Sequence, residues 1–225
     1  MDKEDATHLL EISSSSSKSH KMVAQNLPAN NEGRSNENLL EGVAAFHLTT
    51  VSGLIKRVSS KQISEIAQLL NTARLTPRTI YTMGNGGSAS TALHLANDLS
   101  TTQCTDQGPS FRAICLNSNI SLFSALANDF GYENVFARQL ENLLIEDDVV
   151  IAISASGNSR NCINGLEYAR KCGARTVGLL GFDGGVMKDL CDYVIHVPSH
   201  DYRVVEDVHV AVSHAFSVCL ASTSL

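Results

Sequence analysis

The 225-residue chain has no long basic run, and its 17 Lys and Arg are outnumbered by 23 Asp and Glu, leaving a formal charge of -6 at pH 7. Nucleic-acid phosphates demand a concentrated cationic face, so no nucleic-acid partner is expected. No apolar stretch long enough to span a bilayer is evident, because polar groups or glycine break the hydrophobic pattern at short intervals; no membrane association is expected. The six cysteines (104, 115, 162, 172, 191 and 219) contain no Cys-x-x-Cys pair and lie singly, mostly in apolar stretches. That is the usage of reduced, buried thiols. Met1 to Asp5 is acidic and lacks a signal-type apolar core, so a cytoplasmic location is expected.

The chain does have a hydrophobic fraction of 43%, enough for one α/β domain with a buried core. Residues 1–35 hold a serine run, Ser13 to Ser17, followed by Asn, Gly and Pro, and read as a disordered tail. Residues 36–225 read as one domain. Leu39, Leu40, Val43, Phe46, Leu54, Ile55 and Val58 recur at helical spacing, and Ile63, Ile66, Leu69 and Leu70 continue it after a break at Ser59-Ser60. From Thr79 the pattern alternates. Strands are expected at Thr79–Met83, Phe111–Leu116, Asp148–Ser154, Arg175–Leu180 and Tyr193–Val197. Helices are expected at Ser88–Leu99, Ile120–Ala127, Asn134–Leu144, Ser159–Lys171 and Val204–Leu220. Such alternation predicts an α/β fold with a doubly wound, parallel, five-stranded sheet behind N-terminal helices.

Two loops sit where such a sheet binds ligands, at the carboxyl ends of strands. The first is Gly84-Asn85-Gly86-Gly87-Ser88. Its glycines admit a ligand close to the backbone, and the helix that follows directs unsatisfied N–H groups and its positive end at it. It is neither a G-x-G-x-x-G dinucleotide loop nor a Walker loop, so no nucleotide cofactor is expected. The second is Ser154-Ala155-Ser156-Gly157-Asn158-Ser159. Three hydroxyls can donate to the oxygens of one phosphate, although Ser159 alone could be a plain helix cap. Asn85, Gly86, Gly87, Ser88, Ser154, Ala155, Ser156 and Ser159 are therefore the candidate ligand-binding residues of the two loops.

These two loops, with Ala127-Asn128-Asp129-Phe130-Gly131 between them and Asp183-Gly184-Gly185 after them, appear in the order found in sugar isomerase (SIS) domains. More closely, the chain resembles phosphoheptose isomerases from about Asn38 to Ala221. The resemblance implies a flavodoxin-like SIS fold, a sugar-phosphate ligand, isomerisation of sedoheptulose 7-phosphate to an aldoheptose 7-phosphate, and a homotetramer with sites built between subunits. It also implies Asp129 near the bound sugar, His94 as a metal- or substrate-facing histidine, and His214 as the catalytic histidine. The family's catalytic glutamate falls at Asp98. The glutamine two turns before the catalytic histidine is Glu206 here, and an aspartate three residues earlier is Arg203. Basic residues usual after the first site helix are absent from Thr101 to Ser110.

Aldose–ketose isomerisation takes a proton from the carbon beside a carbonyl and returns it to the neighbouring carbon, with an acid protonating the enediol oxygen. His94 and Asp98 are four residues apart and share one helix face, as do Glu206, Val210 and His214 on the last helix. Asp98 is assigned as the base and His214 as the proton shuttle, with Glu206 an alternative base that also lines the sugar. The same set (His94, Asp98, Glu206 and His214) is of a kind zinc accepts, and related isomerases hold zinc at matching positions. His47, His196, His200 and His209 read as structural or surface residues. The competing reading is a non-catalytic SIS module that binds sugar phosphates or serves as an adaptor.

Overall fold

The computed structural model describes residues 36–102, 104 and 108–222; the expected tail over 1–35 lies outside them. Two helices, α1 (Asn36–Ile55) and α2 (Ser60–Leu75), precede the alternating part. There follow β1 (Thr79–Gly84), α3 (Gly87–Thr101), β2 (Arg112–Cys115), α4 (Ile120–Phe130), α5 (Val135–Leu143), β3 (Val149–Ser154), α6 (Arg160–Lys171), β4 (Arg175–Leu180), α7 (Met187–Leu190), β5 (Tyr193–His196) and α8 (Tyr202–Ala221).

All strand pairs are parallel, in the order β2-β1-β3-β4-β5. Val149-Val150-Ile151-Ala152-Ile153 explains why β3 is central. It is apolar at every position, so both faces must be covered, and all five residues are fully buried. Pleating sends Ile80, Val149, Ile151, Ile153, Val177 and Leu179 to one face, against α2, α3 and α8. Tyr81, Met83, Val150, Ala152 and Leu180 go to the other, against α5 and α6.

The expected elements are all present, with local differences. β2 and β5 are shorter than expected because Phe111, Leu116 and Val197, although buried, extend past the ladder. The break at Ser59 is a helix cap, its hydroxyl accepting from Gln62 N at 3.3 Å. α1 turns a narrow stripe through Leu39, Val43 and Leu54 inward, leaving Leu40 (69% exposed) and Phe46 (51%) outside. Only Cys115 and Cys162 are buried; the other four cysteines are half-buried, and all six are free thiols. One expectation needs correcting: α8 is long and apolar enough to cross a bilayer. It is 44% buried and packs against α1, α2 and α3, so its hydrophobicity serves the core.

Candidate active site

Gly84 pairs with Ile153 in the β1–β3 ladder, so the loops 84–88 and 154–159 leave the sheet side by side. They flank the point between β1 and β3 where the chain switches from one side of the sheet to the other, which is where sheets of this order bind ligands. Both following helices start without a side-chain cap: α3 after Gly86 and α6 after Ser159. Among the described residues the N–H groups of Gly87 and Ser88 in α3 and of Arg160 and Asn161 in α6, with the positive dipole ends, are left for an anion.

The serine loop is braced from within. Ser154 Oγ accepts from Gly157 N at 3.1 Å and lies 3.3 Å from Ser159 Oγ. Ser156 Oγ accepts from Asn158 N at 3.2 Å. A hydroxyl that accepts keeps its own proton for donation, so the loop can still offer O–H groups to a ligand. Ser159 is therefore no plain cap, its hydroxyl facing Ser154 instead. Gly157 has φ +65°, and a Cβ there would strike the Gly184 carbonyl, so only glycine lets the 181–186 segment pass this closely. Met187 N to Gly157 O and Val186 N to Asn158 Oδ1, both 3.0 Å, fasten the two segments together. Ala155 is half-buried in this loop.

In the first loop Ser88 is 4% exposed, Gly86 adopts φ +54°, and Asn117 brackets Gly84 with a 2.9 Å bond to its carbonyl. The Glu206 carboxylate lies against Gly87, where any Cβ would collide with it. Burial, and then the neighbouring Asp207, push the Glu206 carboxyl above its usual range.

Farther along α3 the acid–base residues converge. His94 Nε2 and His214 Nε2 are 2.7 Å apart, so one imidazole donates to the other. Asp98 Oδ2 lies 3.3 Å from His94 Nε2 and 3.9 Å from His214 Nε2. The three atoms lie within 4.8 Å of one another, a group able to hold a metal ion. Glu206 is not among them. Of the four expected metal residues the structure brings three together and stations the fourth at the first loop. The side chains of His94, Asp98 and His214 are 40, 19 and 55% exposed.

Asp129 lies exposed at the end of α4, accepting from Asn128 Nδ2 at 2.8 Å. His47 pairs with Asp207 at 2.8 Å, joining α1 to α8, and His196 meets the Phe182 carbonyl at 3.0 Å. His200 stacks near Phe182. His209 is fully buried with neither ring nitrogen hydrogen-bonded among the described residues. Burial drops its pKa to about 4, against the smaller opposing effect of the nearby Leu180 backbone. A cavity of about 620 Å³ opens at the opposite, amino ends of the strands, beside Arg78, Asp147, Arg175 and Tyr193, and is lined by none of the expected site residues.

Sequence reasoning missed Tyr132, Asn117 and Asn161. Tyr132 OH donates to Asn85 Oδ1 at 2.7 Å, and Asn161, 2% exposed, faces Asn85 through two 2.8 Å bonds. The nearest signal was Asn161's place in the first turn after the serine loop.

Comparison with known proteins agrees with this fold. The SIS domain family model matches residues 47–181. A phosphoheptose isomerase of Trichlorobacter lovleyi is 41% identical over 152 residues, 68% of this chain and 77% of that protein. One from Helicobacter pylori is 44% identical over 141 residues, 63% of this chain and 73% of the other. The solved phosphoheptose isomerase GmhA from Neisseria gonorrhoeae superposes with a TM-score of 0.75 at 27% identity, covering 82% of this chain and 100% of that one. With the loops at the switch point and the His–Asp–His group on α3 and α8, these matches make the chain a member of the SIS-domain family, alongside the phosphoheptose isomerases.

Proposed function

We propose that this protein isomerises sedoheptulose 7-phosphate to an aldoheptose 7-phosphate, and the observation that carries the reading is the convergence of His94, Asp98 and His214 beside two uncapped, anion-ready helix starts. The spacing suits a ketose whose phosphate lies far from its carbonyl. Gly87 and His94 are seven residues apart on α3, about 10 Å along the axis. The phosphorus of a 7-phosphate is seven bonds from C2, roughly 8 Å in an extended chain.

Ser154, Ser156 and Ser159, with Asn85 and the N–H groups of both helix starts, bind the phosphate; Asp129 and Glu206 line the sugar. The Asp98 carboxylate takes the proton from the carbon beside the carbonyl. His214 moves a proton between the two oxygens of the enediol, and His94, bonded to His214, holds that ring in place. Two imidazole nitrogens and a carboxylate oxygen also fit zinc, as in catalytic sites that keep one position open. His94, Asp98 and His214 would hold it. When bound, the ion would polarise the sugar's oxygens as a Lewis acid.

The working unit is a homotetramer with sites shared between subunits. Leu93 (50% exposed) and Val218 (66%) border the histidine pair, no residue of α4 is buried, and Ile120 is 71% exposed. With Leu40, Phe46 and Leu48 on α1, this apolar surface suits further copies of the chain. Its place is the cytoplasm, since phosphorylated sugars are too charged to leave across a bilayer.

The test is an NMR assay with sedoheptulose 7-phosphate in deuterated water. The wild type should yield product carrying solvent deuterium, and Asp98→Asn and His214→Ala should each lose about 10²- to 10⁴-fold in turnover, the range of general acid–base contributions. Thermal stabilisation by the ligand without exchange would instead indicate a binding module, and near wild-type rates in both variants would end the assignment.

A further inference from the structure

A side-chain amide pair ties the first loop to the first turn of α6. Asn85 and Asn161 face each other as a closed amide pair: Asn85 Nδ2 donates to Asn161 Oδ1 and Asn161 Nδ2 donates to Asn85 Oδ1, both at 2.8 Å. The polarity of this ring is fixed from one side. Cys162 N donates to Asn161 Oδ1 at 2.9 Å. If Asn161 were turned over, that backbone N–H would meet an NH₂ group, donor against donor. The first turn of α6 therefore sets the orientation of Asn161, and Asn161 sets that of Asn85.

The consequence lies on Asn85. Its carbonyl oxygen is filled by Asn161 Nδ2 and by the Tyr132 hydroxyl at 2.7 Å, two donors for two lone pairs. One Nδ2 proton goes to Asn161, and the second has no acceptor among the described residues. Asn85 is half-buried at the mouth of the first loop, so what it offers a ligand is one N–H and no acceptor. An amide free to rotate would present its oxygen as readily, and an oxygen repels phosphate.

We infer that Asn161 is a positioning residue: it locks Asn85 as a pure hydrogen-bond donor toward the phosphate end of the substrate, with Tyr132 holding the opposite side of the lock. This rests on the sugar-phosphate reading above and deepens it. Because the contact is to the phosphate end, remote from the reacting carbons, its loss weakens ground state and transition state alike and appears in KM.

The experiment uses the full chain and the variants Asn161→Asp and Tyr132→Phe. The carboxylate introduced by Asn161→Asp still accepts from Cys162 N and from Asn85 Nδ2 but cannot donate to Asn85 Oδ1, which then faces an oxygen, so that half of the lock is replaced by a repulsion while the volume is kept. KM for sedoheptulose 7-phosphate should rise at least fivefold with kcat within about twofold, in keeping with the loss of one organised hydrogen bond. Tyr132→Phe should raise KM about two- to threefold in the same sense. In ¹⁵N spectra of the wild type, one Asn85 side-chain proton should be protected and the other should shift as inorganic phosphate is added. In Asn161→Asp that phosphate response should disappear. An unchanged KM, a fall confined to kcat, or an Asn85 amide that still answers phosphate in Asn161→Asp overturns the inference. If Asn161→Asp does not fold, Tyr132→Phe decides by the same two readouts. If the wild type turns over no sugar, the isomerase reading has failed, and the Asn85 response to inorganic phosphate alone still supports or overturns the lock.

Discussion

His209 should make the protein acid-labile, by an amount the structure lets one work out. The ring is fully buried on α8, without hydrogen bonds at either nitrogen among the described residues, and its pKa falls to about 4 from 6.5 because burial penalises the charged form. The unfolded chain binds a proton there below pH 6.5, and the folded one does so only near pH 4. The unfolded state thus carries more protons throughout that window, and stability declines as pH falls through it. Between pH 7.5 and pH 5 the loss from this one residue is about 2 kcal/mol, and it levels off near 3 kcal/mol below pH 4. For a domain of this size 2 kcal/mol moves the melting temperature by roughly 4–8 °C. Other groups titrate over the same range, so the measurement is a difference. Urea unfolding of the wild type and His209→Leu is followed from pH 7.5 to pH 5, and the gap between them should change by about 2 kcal/mol in favour of leucine as pH drops. Parallel curves would show that the ring is already hydrated or charged in the native state, and the reasoning would be refuted.

Other outcomes follow from the same geometry. Gly157→Ala should bring Cβ into the Gly184 carbonyl and force apart the segments 154–159 and 181–186, raising KM well before the fold is lost; thermal melting beside kinetics separates the two. Asp148, 1% exposed, accepts from Thr79 N and Ile145 N at 2.8 and 3.0 Å, so Asp148→Ala should cost about 2–4 kcal/mol in urea unfolding by orphaning two amides. If zinc occupies the His–Asp–His group, elemental analysis of purified protein should find about one ion per chain, and a chelator should remove both metal and activity. Protein that binds none and ignores chelator would leave those three residues to proton transfer alone.

The sequence was most legible where chemistry and periodicity coincide. The unbroken apolar run at 149–153 could only be a doubly covered strand, and the spacings 94/98 and 206/214 named faces of helices that the structure brings together in part. Spacing along one helix says which residues share a face but not which rotamer a long side chain adopts. Hence Glu206 was grouped with the metal residues, although it lies against Gly87. Asn161 and Tyr132 were invisible for a related reason. Neither has a chemistry that stands out alone, and their role arises only when parts of the chain 76 and 47 residues from Asn85 meet it. The outward side of α1 escaped notice because helical spacing identifies apolar positions without saying which neighbour will cover them.

Because α8 both closes the core and carries His214, the chemistry of this protein is geared to its packing. Val208, Val212 and Phe216 are buried on that helix while His214 reaches across to His94 on α3. Trimming one of the buried three would let the helix slide, and a displacement of about 1 Å is enough to cost 10²-fold in rate. Mutational surveys scored by activity would then flag an apolar seam far from any sugar, and a variant could stay soluble and folded while being chemically silent.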